Sequence, residues 1–216
     1  MSTRRDLSGR RLYLCTPDRP DLADFVAACI AGGVDVVQLR EKDLEARALL
    51  ARARLVGDVC RAHGVPFVLN DRPDLALEVG ADGVHVGQDD APVSLARRIL
   101  GPDAIVGLST HGADDLAAAA SEDVTYISAG PVEATPTKPG RPGTGLGYVT
   151  QASARSSVPV FVTGGVTPET IPALASAGVR HFVVVRFLTR ASDARAAAQA
   201  LRQAIDRASN SAPAPP

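Results

Sequence analysis

The chain is poor in cysteine, in excess charge of either sign and in long apolar runs, and each shortage removes a class of function. Only three cysteines occur in 216 residues, Cys15, Cys29 and Cys60, scattered and odd in number. There is no Cys-x-x-Cys pair and no Cys/His cluster, so neither a disulfide framework nor a zinc site is expected, and a reducing, cytoplasmic setting fits. The formal net charge is −1, which argues against a general nucleic-acid or membrane-surface binder and leaves any functional charge to be local. No apolar stretch approaches the roughly 20 residues of a membrane span. Met1 to Arg11 is polar and basic with no apolar stretch behind it, and does not read as a secretory signal. The expectation is no nucleic-acid partner and no membrane; homo-oligomerisation is left open.

What the chain does have is alternation. Val34 to Leu39 is nearly all apolar, as a strand buried on both faces of a parallel sheet would be. Leu22, Phe25, Val26 and Ile30 recur at helical spacing. Strands are expected at 11–16, 34–39, 66–69, 82–86, 104–108, 124–128, 158–162 and 181–185. Helices are expected between and after them, at 18–31, 43–63, 73–79, 92–100, 114–120, 146–155, 167–177 and 192–208. Asp43 and Thr167-Pro168-Glu169 read as helix starts. Eight strand–helix units with no composition break fit one closed (β/α)8 TIM barrel. Its span is 11–208, with 1–10 as an N-terminal extension and the Ser/Ala/Pro-rich 209–216 as a disordered tail.

In such barrels the site lies at the C-terminal ends of the strands, and here those ends carry polar chemistry. The third strand breaks abruptly into Asn70-Asp71, and Asp90 follows nineteen residues later beyond the fourth. A hard cation such as magnesium takes oxygen ligands, often one or two carboxylates with water and substrate phosphates completing the shell. The plainer alternative is that Asp71 caps the next helix and Asp90 is a solvated loop charge. Gln38 and Arg40 share one face of the second strand, with Lys42 just beyond, either as phosphate ligands or as a solvated charge run. The loop Gly130–Gly147 is long for a compact domain and contains Thr135-Pro136-Thr137-Lys138. Gly164-Gly165 end the seventh strand, where this fold places phosphate cradles. Ser109 and His111 end the fifth, and His111 is open to a catalytic, a cap or a surface role. Two anion regions imply two phosphorylated substrates, one with a diphosphate leaving group whose charge magnesium, Arg and Lys would stabilise.

Taken together, Gln38-Leu39-Arg40-Glu41-Lys42, Asn70-Asp71-Arg72, the run from Ala81 to Asp90, Gly107-Leu108-Ser109-Thr110-His111, Gly130-Pro131 with Thr135 to Lys138, and Gly164-Gly165-Val166 resemble the thiamine-phosphate synthase family, in its order and spacing from about Leu12 to Leu201. The resemblance implies a (β/α)8 barrel that joins a hydroxymethylpyrimidine diphosphate to a thiazole phosphate carboxylate. The products are thiamine phosphate, diphosphate and carbon dioxide, and Mg2+ is the cofactor. It implies that Gln38, Leu39, Arg40, Glu41, Lys42, Asn70, Ser109 and Lys138 hold the pyrimidine diphosphate. Of these, Arg40, Lys42, Ser109 and Lys138 would serve the chemistry. Asp71 and Asp90 would bind the metal, and Thr135, Pro136, Thr137, Gly165, Val185 and Arg186 would surround the thiazole phosphate. The implied chemistry is dissociative and needs no general base, in keeping with the absence of a convincing Ser/His/Asp arrangement.

The sequence departs from the family at Arg186, where a small residue, commonly serine, is usual, and at His181, where glycine is more usual. Arg186 would either grip the phosphate or pair with an acidic residue such as Asp193 or Glu169. The rival readings are a thiazole tautomerase of the same barrel type and a non-catalytic phosphate-binding barrel.

Overall fold

The structure, a computed structural model, describes residues 6–134 and 143–211. The strands are β1 (Leu12–Thr16), β2 (Val36–Leu39), β3 (Phe67–Asn70), β4 (Gly83–Val86), β5 (Ile105–Thr110), β6 (Tyr126–Ala129), β7 (Val160–Val162) and β8 (His181–Val184). They close in sequence order into an all-parallel barrel, β1 pairing with both β2 and β8. The helices are α1 (Leu22–Ala31), α2 (Ala46–His63), α3 (Pro73–Val79), α4 (Val93–Leu100), α5 (Ala113–Ala119), α6 (Gly145–Arg155), α7 (Ile171–Ser176), α8 (Arg186–Thr189) and α9 (Ala194–Ser211). The (β/α)8 expectation holds. No described helix is long and apolar enough to cross a membrane.

Both faces of every strand are buried, so alternation sorts residues between two cores rather than between core and water. Leu12, Leu14, Val37, Leu39, Phe67 and Leu69 join the layer between strands and helices. The intervening Tyr13, Cys15, Val36 and Val68 point into the barrel, together with Ile105, Tyr126, Phe161 and Val183. Leu7, from the expected N-terminal extension, is 1% exposed and packs into this inner cluster, so that extension contributes to the domain core. Gly107 makes room for one of the two inner tyrosines: a Cβ there would lie 2.2 Å from the Tyr126 ring.

The lower rim is tied by three side chains placed just before even-numbered strands. The Asp35 carboxylate accepts the Arg11 and Leu12 N–H groups. The Asp82 carboxylate accepts Phe67 N–H at 2.9 Å, and Thr125 Oγ1 accepts Val106 N–H at 3.1 Å. Each satisfies a strand-end donor that would otherwise be buried without a partner.

Several boundaries depart from expectation, and those that bear on the site have local causes. Asp43 does not start α2. Its N–H donates to Glu41 Oε1 within a bend, and Glu45 takes the N-cap position. The Thr167–Thr170 stretch closes a turn of its own through Thr167 N–H to Thr170 Oγ1, and α7 begins only at Ile171. β3 and β5 run on to Asn70 and Thr110, and α9 continues through 209–211 to Ser211. The four-residue α8, too short for periodicity to reveal, follows β8 directly.

Candidate active site

A cavity of about 560 Å³ opens at the C-terminal end of the barrel, and strand ends from around the ring reach it. Gln38, Arg40, Lys42, Asn70, Asp71 and Asp90 line it, as do Ser109, Gly165, Val185 and Arg186. Two expected residues do not. The Leu39 side chain is fully buried in the outer layer, because it stands one residue out of phase with Gln38. Glu41 turns away and accepts the N–H groups of Asp18, Lys42 and Asp43, shaping the loop that presents Lys42. Thr135, Pro136, Thr137 and Lys138 lie outside the described residues.

Asp71 is the only described non-glycine residue with positive φ, at 62°. A left-handed backbone costs an L-residue roughly 1–2 kcal/mol, and such outliers cluster at functional sites. The plainer reading of Asp71 fails here: the N-cap of α3 is Arg72 and no side chain caps it. Instead Asp71 donates its N–H to the His85 carbonyl at 2.8 Å and turns its carboxylate toward Asp90 and Lys42. Lys42 Nζ lies 3.0 Å from Asp71 Oδ2. Burial, reinforced by the facing Asp90, pushes the Asp71 carboxyl above its usual range against the pull of Lys42. Burial also works against ionised Asp90, but hydrogen bonds from Asp71 and the Gly87 N–H outweigh it and hold Asp90 low. One carboxyl is pushed up and its partner down, as expected of two carboxylates sharing a site.

The donor set fits magnesium. It is two oxygen-only ligands from adjacent strand ends whose mutual repulsion calls for a cation. Among the described residues no group of three or more His, Cys, Asp or Glu forms a metal cage. Magnesium suits such a sparse site, since it commonly keeps waters and takes substrate phosphates as its remaining ligands.

Beside this pair stands a buried donor with no partner among the described residues. Asn70 is 5% exposed and its Nδ2 has no hydrogen-bond partner. The Arg40 side chain lines the same cavity. Across the cavity Gly164 and Gly165 both have positive φ, 95° and 76°. The left-handed φ at both favours glycine, and a Cβ on Gly164 would fall 2.6 Å from the Val132 backbone nitrogen. Arg186 opens α8 and lines the cavity beside Val185; no ion pair with Asp193 or Glu169 forms among the described residues. Asp193 instead accepts the Ala196 N–H, and Glu169 is held low by Thr167. Alternation stays in phase through Val185, which packs on the inner cluster, and the helical turn of α8 that starts at Arg186 ends it and brings Arg186 round to the cavity.

Sequence reasoning missed the cavity floor. His85 Nε2 is 2.9 Å from Ser109 Oγ and its Nδ1 is 3.0 Å from the Tyr126 hydroxyl. The Tyr126 hydroxyl is 2.8 Å from that of Tyr13, Gln38 Nε2 donates to Tyr13 Oη at 3.1 Å, and Cys15 Sγ donates to Gln38 Oε1 at 3.0 Å. A Ser/His pair therefore exists where none was expected, with a tyrosine hydroxyl rather than a carboxylate as third member. The signal was present in period two: Tyr13 and Cys15 are in phase with each other, as are Gly83 and His85. His111 is bound through Nδ1 to the Gly130 carbonyl at 2.6 Å, at the root of the sixth loop.

The family model described as thiamine monophosphate synthase matches residues 12–188. A thiamine-phosphate synthase of Mycobacterium tuberculosis is 46% identical over 216 residues, covering 94% of this chain and 97% of the relative. One of Thermobifida fusca is 47% identical over 207 residues, covering 94% and 95%. Among solved structures, a thiamine phosphate pyrophosphorylase from Pyrococcus furiosus superposes with a TM-score of 0.83 at 27% identity, covering 92% of this chain and 96% of that one.

Proposed function

The chain belongs to the thiamine monophosphate synthase family, and from that membership we propose that its cavity joins a hydroxymethylpyrimidine diphosphate to a thiazole phosphate carboxylate. The thiamine-phosphate synthase activity rests on the family match, the relatives and the structural neighbour together. The observation that carries the detailed reading is the pairing of two anion regions in one cavity: the Asp71–Asp90 rim with Lys42 and Arg40, and the Gly164-Gly165 turn with Arg186.

The carbon–oxygen bond of the pyrimidinylmethyl diphosphate breaks first, and its electron pair leaves with the diphosphate. The thiazole nitrogen then attacks the pyrimidinylmethyl cation, and the thiazole carboxylate departs as carbon dioxide, leaving its bonding electron pair on the ring, which takes up a proton from solvent. Lys42 and Arg40 neutralise the leaving diphosphate, and Asn70 Nδ2 gives it a hydrogen bond. Lys138 adds a further cation and Thr135 and Thr137 hydroxyl donors, by family resemblance. Asp71 and Asp90 would hold Mg2+, which when bound would supply Lewis-acid stabilisation of the diphosphate charge. Gln38 and Ser109 orient the pyrimidine. Gly165, Val185 and Arg186 receive the thiazole phosphate. Cys15, Cys29 and Cys60 are buried and form no disulfide, which supports a reducing, cytoplasmic setting.

The test is a product assay with each substrate alone and with both. A synthase forms thiamine phosphate only from the mixture. A tautomerase changes the thiazole carboxylate alone, and a phosphate-binding barrel turns over neither.

A further inference from the structure

The hydrogen bonds beneath the cavity run as one chain from Cys15 through Gln38, Tyr13, Tyr126 and His85 to Ser109, each step between 2.8 and 3.1 Å. Such a chain has a direction, because every hydroxyl has one hydrogen to give and a neutral imidazole carries one N–H. Cys15 sets it. A thiol donates to an amide oxygen better than it accepts from an amide nitrogen, so Gln38 turns Oε1 to Cys15 and Nε2 to Tyr13. Burial and the facing phenol push the Tyr13 hydroxyl far up, and burial does the same for Tyr126, so both keep their protons. Tyr13 accepts from Gln38 and therefore donates to Tyr126. Tyr126 then donates to His85 Nδ1, which leaves the imidazole hydrogen on Nε2, pointing at Ser109 Oγ.

A Ser–His pair used for nucleophilic attack is polarised the other way, with an unprotonated Nε2 receiving the serine hydrogen. Here Ser109 accepts from His85, and its own hydrogen is left for the cavity. Its backbone is also fixed, since Gln88 Nε2 donates to the Ser109 carbonyl at 2.6 Å. We propose that Cys15, Tyr13, Tyr126 and His85 are positioning residues, acting with Gln38 to hold Ser109 as a hydrogen-bond donor to a ring nitrogen of the aminopyrimidine. This rests on the reading that the pyrimidine diphosphate occupies this side of the cavity. It assigns Ser109 to substrate selection: a heteroaromatic ring with a nitrogen acceptor at that place is favoured over one with C–H there, because the latter leaves the buried hydroxyl unpaired.

Two measurements test it. The first is the nitrogen-15 NMR spectrum of the His85 ring in ligand-free protein, which distinguishes protonated from unprotonated Nδ1. The expected result is the Nε2–H tautomer alone in the wild-type protein and in Cys15→Ser, which keeps a donor. A mixture of tautomers is expected in Tyr126→Phe, which keeps the ring packed on Phe161 but deletes the donor to His85. The second is steady-state kinetics. Tyr126→Phe and Cys15→Ala should raise KM for the pyrimidine diphosphate about tenfold, the size of one lost hydrogen bond, with KM for the thiazole phosphate unchanged and Cys15→Ser close to wild type. A His85 ring protonated on Nδ1 in the wild-type protein overturns the chain's direction whatever the activity. Unchanged pyrimidine KM in both Tyr126→Phe and Cys15→Ala overturns the positioning role. A wild-type protein that makes no thiamine phosphate overturns the assigned ligand, and the NMR result then stands apart from that failure.

Discussion

Lys42 Nζ lies 3.0 Å from Asp71 Oδ2, and Asp71 reaches that position from a left-handed backbone. The ammonium and the carboxylate bring the cation and metal halves of the proposed diphosphate site together on the ends of β2 and β3. The pairing is half-exposed on the lysine side, so its worth to stability is small, about 0–1 kcal/mol. Its consequence is placement.

Asp71→Asn should therefore separate stability from activity. Asparagine tolerates the left-handed region and relieves the repulsion from Asp90, so the melting temperature should hold or rise. Activity should fall about a hundredfold or more. Asp71→Ala should lose the same activity and in addition about 1 kcal/mol of stability, from the strained φ. Equal melting temperatures for the two variants would contradict the backbone account. Thermal denaturation alongside initial rates reads both.

The proposed magnesium requirement should depend on pH. A proton on Asp71 competes with the metal, and the Asp71 carboxyl is raised by burial and by Asp90. The magnesium concentration giving half-maximal rate should fall as pH rises through that raised range and level off above it. Asp90→Asn removes one ligand and also the neighbouring charge, so it should demand more magnesium and shift the pH dependence to lower pH. A requirement flat across the acidic range would show that Asp71 does not face the metal.

Arg186→Ser restores the common family residue. Among the described residues no ion pair of Arg186 with Asp193 or Glu169 forms, so stability should stay within about 0.5 kcal/mol of wild type. KM for the thiazole phosphate should rise about tenfold, as expected for loss of a charge-assisted contact, with KM for the pyrimidine diphosphate unchanged. A large drop in melting temperature with both KM values intact would assign Arg186 to structure instead.

His181 should make the fold acid-sensitive. Its ring packs on Phe161, binds the Arg10 carbonyl through Nδ1, and is pushed below its ordinary pKa mainly by burial. The unfolded chain then binds a proton on this residue before the folded one does, so stability falls as pH drops below about 6.5. The loss levels off below the folded-state value. His181→Gln should flatten this share of the curve, seen as a wild-type-minus-variant difference in urea unfolding between neutral and mildly acidic pH. A difference that does not change with pH would remove His181 from the account.

The polar strand ends were legible because they interrupt apolar runs. Asn70-Asp71 after Phe67-Val68-Leu69, and Gln38, Arg40 and Lys42 after Val36-Val37, announce themselves once the strands are counted to eight. The floor was not. Tyr13, Tyr126 and His85 lie inside apolar strands, and period-two alternation says which residues share a face without saying which face looks inward. Barrel closure decides that, and it also sends Leu39 outward. The Thr167 motif misled because a threonine turn satisfies its own backbone before a helix begins, and α8 has too few residues to show a period. The left-handed φ of Asp71 has no signature in sequence, since aspartate before a helix reads first as a cap.

The most direct test of the account is the stoichiometry of diphosphate release. Wild-type protein with magnesium and both substrates should release one diphosphate for each thiamine phosphate formed. Both should stop on chelation and resume when magnesium is restored. Product formed at full rate in the presence of chelator, or thiamine phosphate formed without matching diphosphate, would contradict the claim that the Asp71–Asp90 rim and the Gly164-Gly165 turn serve one magnesium-assisted transfer.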